Sequence, residues 1–125
     1  MRVSALFFAS FLITVCSVHA AKVEVVQVPS GKMDKEVPAT LILPNAYSIS
    51  EKQRFPVLYL LHGAGGYHAS WNQSTQCAQL ADKYEFIILC PDGRSTSWYY
   101  DSPIDPTYQY ETHVAKECVE YMDKN

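Results

Sequence analysis

The stretch that most constrains the fold is a short apolar segment that leads into a cluster of glycines. Residues 57–61 read Val-Leu-Tyr-Leu-Leu, come directly after Pro56, and are followed by His62 and by glycines at positions 63, 65 and 66. An uninterrupted apolar run between proline and glycine is typical of a strand buried on both faces within a parallel sheet. Such sheets bind their ligands at the carboxyl ends of the strands. We therefore predict a strand at 57–61 and a ligand-binding loop formed by Gly63, Gly65 and Gly66.

Glycine lets backbone N–H groups approach a ligand closely, and two chemistries use this property. One is phosphate binding, and the other is stabilisation of the oxyanion of an acyl-transfer intermediate. The phosphate motifs G-x-G-x-x-G and G-x-x-x-x-G-K, started at Gly63, both require glycine at position 68. This sequence has His68 there, so both motifs fail. The pair His62-Gly63 matches the oxyanion loop that follows the third strand of α/β-hydrolases.

Four segments, in a fixed order along the chain, resemble the esterase D-like family of α/β-hydrolases. That family includes feruloyl and acetylxylan esterases, S-formylglutathione hydrolases and the antigen 85 acyltransferases. The segments are L-I-L-P-N-A-Y at 41–47, P-V-L-Y-L-L-H-G-A-G-G-Y-H-A-S-W at 56–71, P-D-G-R at 91–94 with S-W-Y-Y-D-S at 97–102, and Y-E-T-H-V at 110–114. The resemblance extends over about residues 23–125.

The resemblance implies the N-terminal half of an α/β-hydrolase fold, which stops before the strand that carries the nucleophile. This half consists of a mostly parallel sheet with an antiparallel N-terminal hairpin and flanking helices. The implied activity is that of a serine esterase, a carboxylic-ester hydrolase that needs no cofactor and no metal. The backbone N–H of Ala64 is the implied first oxyanion donor, and the usual role of His62 is to hold the loop by hydrogen bonds.

The order of elements read from the pattern agrees with that fold. Alternating and β-branched residues predict strands at 22–28 and 36–43, joined by a turn at 29–32. A buried strand is predicted at 86–90. Helical spacing of apolar residues predicts helices at about 75–83 and 109–124, the second with Glu117 facing outwards. The long polar and aromatic loop at 94–107 lies where functional loops are common.

The catalytic residues of such an esterase are not found among these 125 residues. The family requires a serine within G-x-S-x-G, then an acid, then a histidine. The nearest match has Ser95 at its centre but Ser97 in place of the second glycine, and no helix is predicted to start there. We predict solvated surface positions for His68 and His113. The nucleophile, acid and histidine are therefore expected beyond Asn125.

Several polar and aromatic side chains are candidates for a substrate pocket. Trp71, Trp98 and Tyr99 are expected either to line an acyl or sugar pocket or to pack as ordinary half-buried aromatics. Asp101 is expected either to bind substrate hydroxyls or to stabilise its own loop.

The two ends of the chain differ in character. Residues 1–20 combine Arg2, an apolar stretch at 5–15 and the sequence Val18-His19-Ala20, which predicts a signal peptide cleaved before Ala21. The mature domain is then 21–125, secreted or periplasmic, with no transmembrane segment. Its cysteines, Cys77, Cys90 and Cys118, are predicted to be small core residues, because their spacing fits no zinc motif.

Composition limits the partners and leaves two alternative functions open. A formal net charge of −3 gives no indication of a nucleic-acid partner, so the expected partner is a small-molecule or polysaccharide ester. One alternative is a non-catalytic, secreted carbohydrate-binding module that stacks sugars on its aromatic residues. The other is an acyltransferase, which would use the same site with a different acceptor.

Overall fold

The computed structural model describes residues 20–49 and 53–125. The predicted signal peptide therefore lies almost entirely outside the described residues. None of the helices in the described part of the chain is both long and apolar enough to cross a membrane.

The described chain forms one mixed sheet of four strands with helices on both faces. The strands are β1 (Lys22–Ser30), β2 (Lys35–Leu43), β3 (Val57–Tyr59) and β4 (Ile87–Pro91). Their order across the sheet is β1-β2-β4-β3. β1 and β2 form an antiparallel hairpin, with Lys22 opposite Leu43 and Ser30 opposite Lys35. β2 is antiparallel to β4, whereas β3 and β4 are parallel.

Four helical segments connect or flank these strands. A 3-10 helix covers Asn45–Ser48, α1 covers Ser70–Ser74 and α2 covers Cys77–Tyr84. The last helix, α3, starts as Tyr110–Thr112, is π-helical over His113–Glu117 and ends as Cys118–Lys124.

Alternation along β2 and β4 creates a core on each face of the sheet. Leu41 and Leu89 point to one face, where they pack with Cys118 of α3. Ile42 and Ile88 point to the other face, where they pack against α2. All five residues of β4 are buried, as expected for a central strand covered on both sides. The three cysteines are buried and unpaired, in agreement with the prediction that they are core residues.

The N-terminal hairpin and the helix at 109–124 confirm the sequence predictions closely, but the position of the hairpin turn was wrong. The hairpin turn lies at 31–34 rather than 29–32, and it places Asp34 in the left-handed region at φ 51°. The predicted helix at 75–83 is confirmed as α2, and the short helix α1 precedes it and ends where Thr75 is extended at φ −137°. The Thr75 hydroxyl accepts a hydrogen bond from the Cys77 N–H at 3.3 Å, which helps to start α2.

The strand that was predicted at 57–61 is shorter and less buried than its composition suggests. Only Val57–Tyr59 are in β3, although the Leu60 N–H still donates to the Leu89 carbonyl at 3.0 Å. Leu58 and Leu61 are exposed. The physical reason is that β3 is an edge strand within the described residues. Its side chains therefore have packing neighbours from the sheet on one side only.

The prediction that His113 and His68 are solvated was also wrong. His113 is fully buried, and its Nδ1 lies 2.8 Å from a carboxylate oxygen of Glu117, which was predicted to face outwards. His68 is half-buried, with its Nδ1 2.9 Å from the Thr40 hydroxyl. In both cases the side chain finds a polar partner on a neighbouring turn or strand, and sequence periodicity does not reveal such partners.

Candidate active site

The glycine loop after β3 is a tight turn. The Gly66 N–H donates to the Gly63 carbonyl at 3.0 Å, and Gly65 has φ +78°. Positive φ at the third position of a four-residue turn, with Ala64 outside the positive-φ region, defines a type II turn. Gly65 is therefore glycine because of backbone conformation. Its N–H donates to the Ser95 carbonyl at 3.2 Å, which joins this loop to the one after β4.

The His62 ring stabilises the turn through both of its nitrogens. Its Nε2 lies 3.0 Å from the Gly93 backbone nitrogen, and its Nδ1 lies 2.9 Å from the Gly63 carbonyl oxygen. A backbone N–H can only donate, so Nε2 must be the unprotonated acceptor, and the proton of the neutral ring lies on Nδ1. The Nδ1–H then donates to the Gly63 carbonyl. Both ring nitrogens are thus engaged, which leaves His62 unable to act as a general base in this arrangement.

These contacts determine the direction of the Ala64 N–H. The Gly63 carbonyl and the Ala64 N–H belong to the same planar, trans peptide group, so they point in opposite directions. The carbonyl is held by the His62 ring and by the Gly66 N–H. The Ala64 N–H therefore points away from the protein, and it makes no hydrogen bond within residues 20–49 and 53–125. A fixed, free N–H of this kind is what an oxyanion donor requires.

Ala64 lines a small pocket of about 140 Å³. The pocket is lined by residues from the two loops that follow β3 and β4, namely His62, Gly63, Ala64, Arg94, Ser95, Trp98 and Tyr99. It lies at the carboxyl ends of two parallel neighbouring strands, which is where open α/β sheets bind ligands. Ser95 faces the pocket, but no helix follows it until Tyr110 and the His62 ring is already occupied.

Trp98 and Tyr99 adopt an uncommon backbone conformation beside this pocket. Their φ values are +54° and +53°, and left-handed backbone is rare for large side chains. The Ser97 hydroxyl, which is buried, accepts a hydrogen bond from the Tyr99 N–H at 3.0 Å and supports the turn. Trp98 is 81% exposed, while the Tyr99 ring is directed inwards.

The Tyr99 ring lies next to the glycine loop that follows β3 and in contact with Gly93. A Cβ on Gly93 would lie 2.4 Å from the ring, so this glycine is required by close approach. The Tyr99 hydroxyl is 3.2 Å from both the His62 N–H and the Pro91 carbonyl. Burial raises the pKa of Tyr99, so the hydroxyl stays protonated. Sequence reasoning did not select Gly93, although the P-D-G end of β4 offered a signal.

Four of the predicted site residues lie outside the pocket lining: Gly65 and Gly66, which belong to the turn, and Trp71 and Asp101. The Trp71 indole N–H donates to the Leu61 carbonyl at 2.9 Å, which fixes α1 to the end of β3. The Asp101 carboxylate accepts hydrogen bonds from the backbone and the hydroxyl of Thr112, at the start of α3. Burial raises the pKa of Asp101, but these hydrogen bonds outweigh it and the net shift is downwards. Asp101 thus stabilises its own loop, one of its two expected roles.

No group of three or more His, Cys, Asp or Glu side chains that could hold a metal ion occurs in the part of the chain that the structure describes.

The strand order, the two covered faces and the glycine loop after β3 define the N-terminal part of an α/β-hydrolase fold. The family model described as "Esterase: Putative esterase" matches residues 30–125. The chain therefore belongs to this esterase family. No curated protein sequence matches it.

Solved structures of esterases have the same fold. A ferulic acid esterase matches with a TM-score of 0.72 at 24% identity, over 85% of this chain and 45% of that chain. An S-formylglutathione hydrolase from Agrobacterium tumefaciens matches with a TM-score of 0.75 at 17% identity, over 90% and 47%. A ferulic acid esterase from Anaeromyces mucronatus, in complex with ferulic acid, matches with a TM-score of 0.61 at 21% identity, over 90% and 46%. The chain spans about half the length of these structures.

Proposed function

We propose that this protein is a secreted serine esterase that hydrolyses carboxylic esters, with feruloyl or acetyl esters of carbohydrate as its substrates. Residues 21–125 supply the oxyanion half of the active site in this proposal. The observation that carries it is the Ala64 N–H, which is free and rigidly held, in a residue that lines a pocket at the carboxyl ends of β3 and β4.

The other half of the site belongs, in this proposal, to chain beyond Asn125. The described pocket has no serine with a free histidine beside it, and residues 1–125 contain no G-x-S-x-G motif. A nucleophile strand would pair with the open edge of β3 and place its serine next to Ala64. The serine would attack the ester carbonyl, and the Ala64 N–H would stabilise the negative oxygen that forms. An acid and a histidine would complete the triad.

The substrate proposal depends on the aromatic loop and on the structural relatives. Trp98 and Tyr99 form one wall of the pocket, and flat apolar walls suit a planar acyl group. Two of the structures named above are ferulic acid esterases. Export, predicted from residues 1–20, is compatible with a polymeric extracellular substrate.

The sharpest test of this proposal uses the type II turn itself. Proline is favoured at the second position of such a turn, so Ala64→Pro removes the N–H while it preserves the backbone conformation. In the whole protein, we expect Ala64→Pro to lower kcat by about 10²–10³-fold, the usual effect of losing one oxyanion donor. Ala64→Ser retains the N–H and is the matched control. Steady-state hydrolysis of methyl ferulate and 4-nitrophenyl acetate provides the measurement.

Two results would contradict the esterase proposal. One is a whole protein that hydrolyses no ester and is not labelled by a fluorophosphonate probe for reactive serines. The other is an Ala64→Pro variant as active as Ala64→Ser. Export is tested separately by N-terminal sequencing of the secreted protein. The sequence obtained should begin at Ala21.

A second function, carbohydrate binding without catalysis, is favoured by one observation. Trp98 is 81% exposed on a turn that holds it away from the core, as expected of a platform for stacking sugars. Affinity electrophoresis on xylan would distinguish the two proposals. Retardation that is abolished by Trp98→Ala, in a protein without esterase activity, would favour the binding module.

A further inference from the structure

We propose that Tyr99 is a positioning residue for the oxyanion donor, the Ala64 N–H. Tyr99 acts on this N–H through the backbone and the ring of His62. This proposal rests on the proposed esterase function and adds a residue to it. Tyr99 contacts no reacting atom in this scheme. It sets the orientation of the group that does.

The Tyr99 hydroxyl joins the ends of β3 and β4. It accepts a hydrogen bond from the His62 N–H at 3.2 Å and donates one to the Pro91 carbonyl at 3.2 Å. These two strands are adjacent and parallel, but their regular pairing ends at Tyr59 and Leu89. The hydroxyl therefore connects the strand ends at a point beyond the sheet hydrogen bonds.

The effect of this contact passes to Ala64 through two peptide groups. The His62 N–H fixes the peptide that enters the loop, and the His62 ring fixes the next carbonyl, that of Gly63. The rings of Tyr99 and His62 also pack together, with centroids 5.3 Å apart and planes inclined by 59°. Because the Ala64 N–H is in the same peptide group as the Gly63 carbonyl, its direction depends on where His62 lies.

The strained backbone at Trp98 and Tyr99 determines where the Tyr99 ring lies in this arrangement. Each left-handed, bulky residue costs about 1–3 kcal/mol, and such residues persist where the surrounding contacts hold them. Here the positive φ of Tyr99 directs its ring under the oxyanion loop, in contact with Gly93. The Ser97 hydroxyl and the ring contact with Gly93 are among the interactions that hold this conformation.

The decisive variant is Tyr99→Phe in the whole protein, because it retains the ring and loses only the hydroxyl. A misplaced catalytic group slows the chemical step more than it weakens substrate binding. We expect kcat to fall about 10-fold, while KM changes less than about 2-fold, since an imperfectly aimed donor costs less than an absent one. Tyr100→Phe removes the hydroxyl of the exposed neighbouring tyrosine and should leave kcat unchanged. A value of kcat in Tyr99→Phe equal to that of Tyr100→Phe would overturn the proposal.

A second measurement keeps this test independent of enzyme activity. In ¹H–¹⁵N spectra of the same two variants, Tyr99→Phe should shift the amide signals of His62 and Ala64 and speed hydrogen exchange at His62. Tyr100→Phe should leave both signals in place. If the wild-type protein hydrolyses no ester, the esterase proposal fails, and the amide data alone then decide whether Tyr99 positions the loop. Unshifted His62 and Ala64 signals would overturn that role.

Discussion

Gly93 shows how one residue can be fixed by its neighbour rather than by its own backbone. It is buried two residues after the end of β4, its N–H donates to the His62 ring, and the Tyr99 ring lies where its side chain would be. Gly63, in the glycine loop after β3, has no atom within 4 Å of an added Cβ. An added methyl group would therefore meet the Tyr99 ring at Gly93 and open space at Gly63.

For this reason, Gly93→Ala should destabilise the protein and Gly63→Ala should not. Overpacking of a buried position costs about 1–3 kcal/mol, and here the ring that would have to move is tied by two hydrogen bonds. Urea denaturation of both variants measures the free energy of unfolding. Equal free energies of unfolding for the two variants would show that the Tyr99 ring can move aside without destabilising the protein.

At the scale of one element, the π-helical stretch of α3 creates a buried polar cluster. His113 Nδ1 lies 2.8 Å from Glu117, and its Nε2 lies 3.5 Å from the Cys118 sulfur. Glu117 also accepts the Lys32 N–H at 2.9 Å, which ties the β1–β2 turn to α3. Residues four and five positions apart both reach His113 because a π-helix has more residues per turn than an α-helix.

This cluster should make stability depend on pH. Burial lowers the pKa of His113 from its ordinary value of 6.5 and outweighs the opposing effect of Glu117. The unfolded chain therefore binds more protons than the folded chain below pH 6.5, so stability is complete above that pH and is lost as the pH falls. Burial favours a higher pKa for Glu117, but its hydrogen bonds lower it from 4.5, which adds a second loss below pH 4.5.

The matched variant is His113→Gln, which keeps a side-chain N–H for Glu117 and cannot titrate. We expect its Tm to fall less than that of the wild type between pH 7.5 and pH 5.5. His68→Gln serves as the control for loss of a half-buried histidine outside this cluster. Parallel Tm curves for wild type and His113→Gln would exclude His113 as the source.

At the scale of the whole molecule, the two edges of the described sheet differ. β1 forms one edge and carries Lys22 and Glu24, and β3 forms the other with only Val57, Leu58 and Tyr59. Charged residues protect an edge strand from pairing with other chains, and an apolar edge invites it.

We therefore expect residues 21–125, produced alone, to self-associate through β3. Leu58 is 43% exposed, and Leu58→Lys should increase the monomer fraction in size-exclusion chromatography with light scattering. Val25 is 59% exposed on the opposite edge, and Val25→Lys should change that fraction much less. An equal effect of the two substitutions would show that association does not depend on the β3 edge.

The sequence by itself determined the features that are local or periodic. Alternation identified the hairpin, apolar runs located β3 and β4, and the His-Gly pattern indicated Ala64 as a candidate oxyanion donor. The strand predictions succeeded because burial on a sheet leaves a short-range signature in the sequence.

Tertiary structure decided whatever depends on partners distant in the chain. The tautomer of His62 follows from Gly93, the requirement for glycine at 93 follows from Tyr99, and the burial of His113 follows from packing of α3 against the hairpin. His62 contacts Gly93 and Tyr99, which lie 31 and 37 positions away along the chain. No local pattern encodes such contacts, because they form only when the loops after β3 and β4 meet at one end of the sheet.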